Sequence, residues 1–441
     1  MSHTVIRALP FTTHIAAGGA RHILARDQAR ARKMLDGISP HGPAAFKQRS
    51  FAAHHHHHHR HHQQQPGGTG VSAPTGPATG AGTGATGSVD VTDAAVTYTM
   101  DVGVGSPPTS YTLLIDTGSS NTWVGAAKAY VPTSTSTDTR QSVNVSYGSG
   151  SFSGTEYTDE VTLGPGLVIQ NQSIGVASTA SGFNGVDGIL GIGPVDLTST
   201  TVSGATSVPT VTDNLFAQGT IPAESISISY VPTTAAGVAN GELTFGGMDA
   251  TKFTGQITWV PITKTSPASQ YWGIDQTITY GTNGSPILGL TAGIVDTGTT
   301  LLMIATDAFN AYKQATGATL DSATGLLTVT QSQFDNMQSL FFAIGDVSCN
   351  FYVRDSADRT SVQQTFELTP NAQIWPRALN STLGGQDGQI YLITADLGSN
   401  SGSGLDFIDG FGFLQRFYSI FSTTNSAVGF ATTQFTDATT N

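Results

Sequence analysis

Asp-Thr-Gly occurs at Asp116-Thr117-Gly118, within Leu-Leu-Ile-Asp-Thr-Gly-Ser-Ser, and again at Asp296-Thr297-Gly298, within Gly-Ile-Val-Asp-Thr-Gly-Thr-Thr. Each copy follows an apolar run that reads as a strand and precedes two hydroxyl residues, Ser119-Ser120 and Thr299-Thr300. One Asp-Thr-Gly is an ordinary turn. Two copies 180 residues apart with matching flanks form an internal repeat that can bring two carboxylates together. Two carboxylates about 3 Å apart cannot both ionise cheaply, so they share a proton and titrate in two coupled steps, one low and one raised. The ionised partner can take a proton from a water bound between them while the protonated partner polarises a carbonyl. Gly118 and Gly298 let the two loops approach, and the hydroxyls of Thr117, Thr297, Ser119 and Thr299 can fix loops and carboxylates.

Composition removes the competing chemistries. All 12 histidines lie at or before His62, so residues 67–441 cannot build a Ser-His-Asp triad or a His-based zinc site. The single Cys349 excludes an intrachain disulfide and reads as a core residue. We expect no metal and no organic cofactor. The 441 residues carry a formal net charge of -12, unevenly spread. Residues 1–66 hold nine of the 18 Lys+Arg but two of the 30 Asp+Glu, a net of +7, which leaves -19 on the remainder. An acidic body with scattered cations does not suit nucleic acid, and no apolar run is long enough for a membrane helix. We expect a monomer.

The elements that must position the aspartates are mostly strands. After a basic segment with helical spacing at 20–36 and an uncharged Gly/Pro/Thr/Ala linker at 63–88, the texture from Val89 onward is short β-branched and aromatic runs between turn residues. Strands are expected at Val96–Val104, Ser110–Asp116, Asn121–Gly125, Ser225–Tyr230, Gly241–Phe245 and Ile257–Ile262. Helices are expected at Thr212–Gln218, Asp307–Thr316 and Gln331–Leu340, and in the basic segment with Leu24, Ala31 and Leu35 on one face. The reading is a mostly β, bilobal fold of two barrel-like lobes with a cleft between them: a prosegment and linker at 1–88, a first lobe at 89–265 with Asp116, and a second at 266–441 with Asp296.

Residues 89–433 resemble the pepsin-like aspartic endopeptidases, most closely in look the fungal polyporopepsin-like enzymes. The resemblance rests on LLIDTGSSNTWV at 113–124, VSYGSGSFSG at 145–154, DGILGIG at 187–193, GIVDTGTTLL at 293–302, LTPNAQIWPR at 368–377, and the closing FLQRFYSIF with AVGFA. It implies that Asp116 and Asp296 are the catalytic dyad, that Thr117 and Thr297 interlock the loops, and that Ser119 and Thr299 bond the carboxylates. It also implies that residues 143–157 form a flap with its tip at Gly148-Ser149-Gly150, whose Tyr147 hydrogen-bonds Trp123. Leu114, Phe152, Phe183 and Ile189 are candidates for an apolar S1 pocket. Ser149 stands where some fungal relatives carry an acid that accepts a basic P1 side chain, so we expect hydrophobic or aromatic P1 residues. Where the second lobe of the family has two aliphatics and a glycine, this chain has Ile408-Asp409-Gly410, and Asp409 is read as a solvated edge residue.

The resemblance further implies polypeptide substrates, sensitivity to pepstatin-type inhibitors, and an inhibitory prosegment within residues 1–88 that is shed in acid, near pH 3–4 where carboxylates titrate. The +7 arm can lie over the -19 body, with Lys33, Lys47 or Arg49 against the two aspartates. The histidine-rich run at 54–62 reads as a natural tract. Sequons beginning at Asn144, Asn171, Asn283 and Asn380 fit a secreted, extracellular glycoprotein. The first 24 residues lack the apolar core of a signal peptide, so a leader is expected outside them. Two rival readings are a catalytically silent peptide or polymer binder and a glycosidase, since paired carboxylates also cleave sugars.

Overall fold

The computed structural model describes residues 7–15, 19–37, 96–232, 234–235, 238–345 and 364–440. Cys349, the histidine tract, Lys47 and Arg49 lie outside the described residues. In chain order the first half supplies β1 (Arg7–Ile15), helix α1 (Ala20–Leu35), β2 (Val96–Val104), β3 (Thr109–Asp116), β4 (Trp123–Val124), β5 (Thr137–Ser146), β6 (Ser151–Gly164), β7 (Leu167–Ser181), β8 (Gly188–Gly191), β9 (Ser225–Tyr230), β10 (Val238–Phe245) and β11 (Thr254–Pro261). The second half supplies β12 (Gly273–Tyr280), β13 (Ser285–Val295), β14 (Leu302–Ile304), β15 (Thr319–Leu320), β16 (Leu327–Val329), β17 (Leu340–Ile344), β18 (Gln364–Leu368), β19 (Ile390–Tyr391), β20 (Thr394–Asp396), β21 (Phe407–Asp409), β22 (Phe417–Ser422) and β23 (Ala427–Thr432).

Strand formation follows period-two burial. In β3, Tyr111, Leu113 and Ile115 point into the core while Thr112 and Leu114 lie half-buried on the other face. One large sheet runs β11-β23-β22-β9-β10-β1-β2-β3-β8-β4-β7-β6-β5, and a second runs β18-β17-β12-β13-β21-β14-β20. A third, small sheet is β15-β16-β19. The internal repeat of the sequence is a repeat of topology. β3, ending in Asp116, lies parallel to β8; β8 is antiparallel to β4, and β4 is parallel to β7. β13, running into Asp296, lies parallel to β21; β21 is antiparallel to β14, and β14 is parallel to β20. Each aspartate thus emerges at the end of a central strand whose neighbour runs the same way.

Most of the expected strands are present, with ends shifted by a few residues. The helix expected at Gln331–Leu340 stops at Asp335. Leu340, Phe342 and Ile344 alternate inward instead and pair β17 with β12 and β18, so burial in a sheet outweighs helical spacing there.

The basic arm is part of the fold. β1 is inserted between β10 and β2, where no strand was expected. Phe11 has almost no exposed surface and packs edge-on against Tyr98 and Tyr230, with ring centroids 5.6 and 5.3 Å away. Gly241 stands opposite it, and any Cβ there would overlap the Phe11 ring. The buried face of α1 is Ala20, Ile23, Asp27, Arg30, Ala31 and Met34, whereas Leu24 and Leu35 are only partly buried. Phe11→Ala removes the aromatic anchor of the arm at a cost of about 3–5 kcal/mol. The expected result is faster tryptic cleavage within residues 1–37 at neutral pH, read by mass spectrometry, with residues 96–440 left resistant.

Candidate active site

The two Asp-Thr-Gly loops meet through their threonines. Thr117 N–H donates to Thr297 Oγ1 at 3.0 Å and Thr297 N–H donates to Thr117 Oγ1 at 2.9 Å. Each hydroxyl donates onward to the opposite strand, Thr117 to the Val295 carbonyl and Thr297 to the Ile115 carbonyl. Every partner is buried, so none of these groups has water as an alternative. The glycines are required by space. A Cβ on Gly118 would lie 2.5 Å from Asp296 Oδ1, and one on Gly298 would lie 2.6 Å from Asp116 Oδ1.

Asp116 and Asp296 have no exposed surface and matching bonds. Ser119 Oγ donates to Asp116 Oδ2 at 2.5 Å and Thr299 Oγ1 to Asp296 Oδ2 at 2.6 Å. Gly118 N–H and Gly298 N–H each donate to the other oxygen, Oδ1, at 3.1 Å. The loop residues expected from the sequence are therefore brought together in the expected pairs.

Between the carboxylates lies a cation the sequence reading did not select. Arg30 of α1 places Nε 2.7 Å from Asp296 Oδ2 and Nη2 3.0 Å from Asp296 Oδ1, and the same Nη2 also pairs with Asp116 Oδ1. The expectation of Lys33, Lys47 or Arg49 in this role is corrected. Lys33 lies nearly one turn further along α1, against the flap tip at Gly148. Burial pushes both carboxyls up and Arg30 pulls both down. Asp116, pushed further up by the Asp296 charge, stays above the ordinary carboxylate value. Asp296, with two bonds from Arg30, ends below it. Burial opposes the charge on Arg30, but the two aspartates outweigh it and hold the guanidinium protonated. Asp27, three residues earlier, places Oδ2 3.0 Å from the amides of both Thr300 and Leu301.

The hairpin of β5 and β6 forms the flap, with Ser146 opposite Ser151 and a tight turn closed by Tyr147 N–H to the Gly150 carbonyl. Gly148 is at φ 83°, and a Cβ there would lie 2.5 Å from the Ala29 carbonyl of α1, so the flap tip closes on the arm. Ser149 is exposed at the tip. The buried Tyr147 hydroxyl faces the Trp123 indole as in the expected pair, within electrostatic reach but outside strict hydrogen-bond geometry. Beneath the flap Phe152 stacks on Trp123 at 4.2 Å, and Phe183 meets the edges of Trp123 and Tyr147. Leu114 and Ile189 join the same apolar cluster. A cavity beside Arg30 and Met34 is bounded by Asn121, Val145, Leu197 and Tyr271, none of which the sequence reading singled out.

Two expectations fail on burial. Asp409 is no edge residue: it has no exposed surface, because β21 is enclosed between β13 and β14. Asn380 cannot accept a glycan in this fold, since it is buried and its Nδ2 donates to the carbonyls of Gln386 and Gln389. Asn171 and Asn283 are exposed and Asn144 is half-buried.

Residues 97–433 match the family model described as eukaryotic aspartyl protease. The chain belongs to the pepsin-like aspartic protease family. It is 61% identical to polyporopepsin of Irpex lacteus over 359 residues, which is 81% of this chain and 100% of that protein. Human gastricsin is 30% identical over 76% of this chain and 81% of its own length. The crystal structure of an aspartic proteinase from Irpex lacteus superposes with a TM-score of 0.73 over 78% of this chain and 96% of that one. The chain is thus an aspartic endopeptidase with the mostly β, pepsin-like fold.

In this protease the threonine interlock is tested by Thr117→Val and Thr297→Val. Each change strands a buried amide at a cost of about 1–3 kcal/mol. A lower Tm and a fall in kcat larger than any change in KM are expected in steady-state assays.

Proposed function

We propose that Asp116 and Asp296 are the catalytic dyad of a secreted acid endopeptidase made as a zymogen, with residues 1 to about 88 as its own inhibitor. The observation that carries the reading is Arg30 seated between two fully buried carboxylates. With the arm displaced, a single proton replaces the guanidinium. The ionised carboxylate takes a proton from a water lying between the pair, and the water oxygen bonds to the scissile carbonyl carbon. The protonated carboxyl gives its proton to the carbonyl oxygen. Breakdown of the tetrahedral species breaks the C–N bond and returns a proton to the leaving amine. The flap, with Tyr147, Gly148 and Ser149, excludes water and aligns the peptide. Leu114, Phe152, Phe183 and Ile189 around Trp123 make an apolar seat, and with no acid at Ser149 the preference is hydrophobic or aromatic at P1.

Acid releases the arm through the contacts that docking itself creates. Arg30 lowers both dyad carboxyls, and that lowering vanishes on undocking, so the docked state binds fewer protons. Its advantage is complete above the free carboxyl values and is lost as pH falls through the value of Asp296 that Arg30 holds below the ordinary carboxylate value. The lobe division near 265, glycans on the exposed sequons, an extracellular location and a monomeric state belong to the same proposal.

Acid digestion of haemoglobin tests the dyad: Asp116→Asn or Asp296→Asn is expected to lower kcat at least about a thousandfold, and pepstatin to block the parent enzyme. Retained, pepstatin-insensitive activity in either variant overturns the assignment. Arg30→Ala tests the latch. The full chain carrying it is expected to cleave peptide at about pH 5, where the parent stays latent. Equal latency in both would remove Arg30 from the inhibitory role.

A further inference from the structure

The two halves of the fold differ in kind at one matched pair of positions. In the first lobe Ile115 on β3 stands opposite Leu190 on β8, and Tyr111 stands opposite Val102 on β2. In the second, Val295 on β13 stands opposite Asp409 on β21, and Thr291 stands opposite Gln276 on β12. Counted from the two aspartates, Asp409 occupies the place of Leu190 and Gln276 the place of Val102. All four side chains have no exposed surface. An apolar pair suffices in one lobe, so the fold alone does not call for a polar pair in the other.

Gln276 Nε2 donates to Asp409 Oδ1 at 3.2 Å. The other atoms of the same two groups, Asp409 Oδ2 and Gln276 Oε1, are buried acceptors without a donor. An ionised Asp409 would be a buried anion with one neutral hydrogen bond and no cation, a costly state. One proton on Oδ2 removes both orphans.

We propose that Asp409 is a neutral carboxylic acid that positions the second aspartate: its Oδ2–H donates to Gln276 Oε1 while Gln276 Nε2 donates to Oδ1, closing an acid–amide ring beneath Asp296. The link to the site is main chain. Asp296 N–H donates to the Asp409 carbonyl at 3.2 Å, and Phe411 N–H donates to the Thr299 carbonyl at 2.9 Å. Gly410 lies so close beneath the loop that a Cβ there would stand 2.6 Å from the Thr299 carbonyl oxygen. A shift of β21 therefore shifts both Asp296 and the hydroxyl that bonds it. Asp409 touches no reacting atom. The positioning role rests on the dyad assignment above; the ring does not.

Burial pushes the Asp409 carboxyl up to about 8, with the Gln276 amide pulling partly back. No charged side chain among the described residues contributes to that shift. β12 presents Gln276, β13 Val295 and β14 Leu302, and the ionisable Asp296 is tied to Asp409 through the backbone. The proton stays on in the fold and leaves at an ordinary carboxylate value in the unfolded chain. The contribution to stability is thus complete below about pH 4 and drains away as pH rises to about 8, above which Asp409 is ionised in both states.

The test uses the full chain carrying Asp409→Asn, Asp409→Leu, or Asp409→Leu with Gln276→Val. The asparagine supplies a permanent donor in the same place. The Tm of Asp409→Asn minus that of the parent is expected to widen by on the order of 5 °C between pH 4 and pH 8. Glu156 and Glu224, whose carboxyls are also held high, are common to both chains and cancel in the difference. At acid pH, Asp409→Leu strands the Gln276 amide and is expected to lower kcat about tenfold with KM nearly unchanged. The double variant reproduces the first lobe's pair and restores kcat. A Tm difference that does not change with pH overturns the neutral acid, and an unchanged kcat in Asp409→Leu overturns the positioning role. Failure of the dyad assignment shows separately, as activity retained in Asp296→Asn, while the Tm comparison still reads the ring.

Discussion

Two carboxylates with no exposed surface, bonded to one guanidinium, set the terms for the rest of this molecule. Like charges this close in a low-dielectric site repel strongly, and burial penalises each of them separately. Hydroxyls of Ser119 and Thr299 and amides of Gly118 and Gly298 satisfy the oxygens but supply no net charge. The site is therefore short of one positive charge. Arg30 provides it in the docked arm, and a shared proton can provide it in acid, so the proposed inhibition and catalysis answer the same electrostatic demand. The absence of histidine from the body follows the same logic, because the pair can hold both the acid and the base.

The repeated topology is what makes that closeness reproducible. Each aspartate leaves a strand flanked by a parallel neighbour, and the reciprocal Thr117 and Thr297 bonds fasten one loop to the other across 180 residues of sequence. The lobes are near-copies where the loops meet and differ behind them. Both neighbours pair with the aspartate's strand through the backbone, but Leu190 brings an apolar side chain to that place while Asp409 brings a group whose charge state depends on pH. An acid at that place suits the proposed activity in acid, and it ties the geometry of one loop to protonation in a way the other loop is not.

The carboxylate pair and its hydroxyl partners were legible in the sequence because they sit in short, ordered motifs whose spacing survives any detail of packing, and the flap became legible through the family resemblance. The long β-rich body was legible for the same reason, through alternation and turn residues. Arg30 was missed although a signal existed. The spacing Ala20, Ile23, Asp27, Arg30, Ala31, Met34 is itself a helical face, and two charges on an otherwise apolar face mark residues meant to be buried against partners. Choosing Leu24 and Leu35 as the face hid them. Leu340 was misread because helical spacing persisted past Asp335 into residues that pair in a sheet, which no local pattern reveals. Asp409 could not be placed at all without knowing that β21 is covered on both sides.

The arm's second buried charge bears on the proposed release. Asp27 accepts the amides of Thr300 and Leu301, and Arg26 reaches the Gly298 carbonyl and Thr300 hydroxyl, so α1 grips the backbone of the second loop as well as its carboxylate. Burial holds the Asp27 carboxyl above its ordinary value despite Arg26 and the two amides. Docking therefore raises the proton affinity of Asp27 while Arg30 lowers that of two dyad carboxyls, and the two effects respond to acid with opposite sign. A single local contact cannot decide the outcome. In the proposed zymogen, protonation also discharges the -19 body that attracts the +7 arm, which favours release toward the acid end of the carboxylate range.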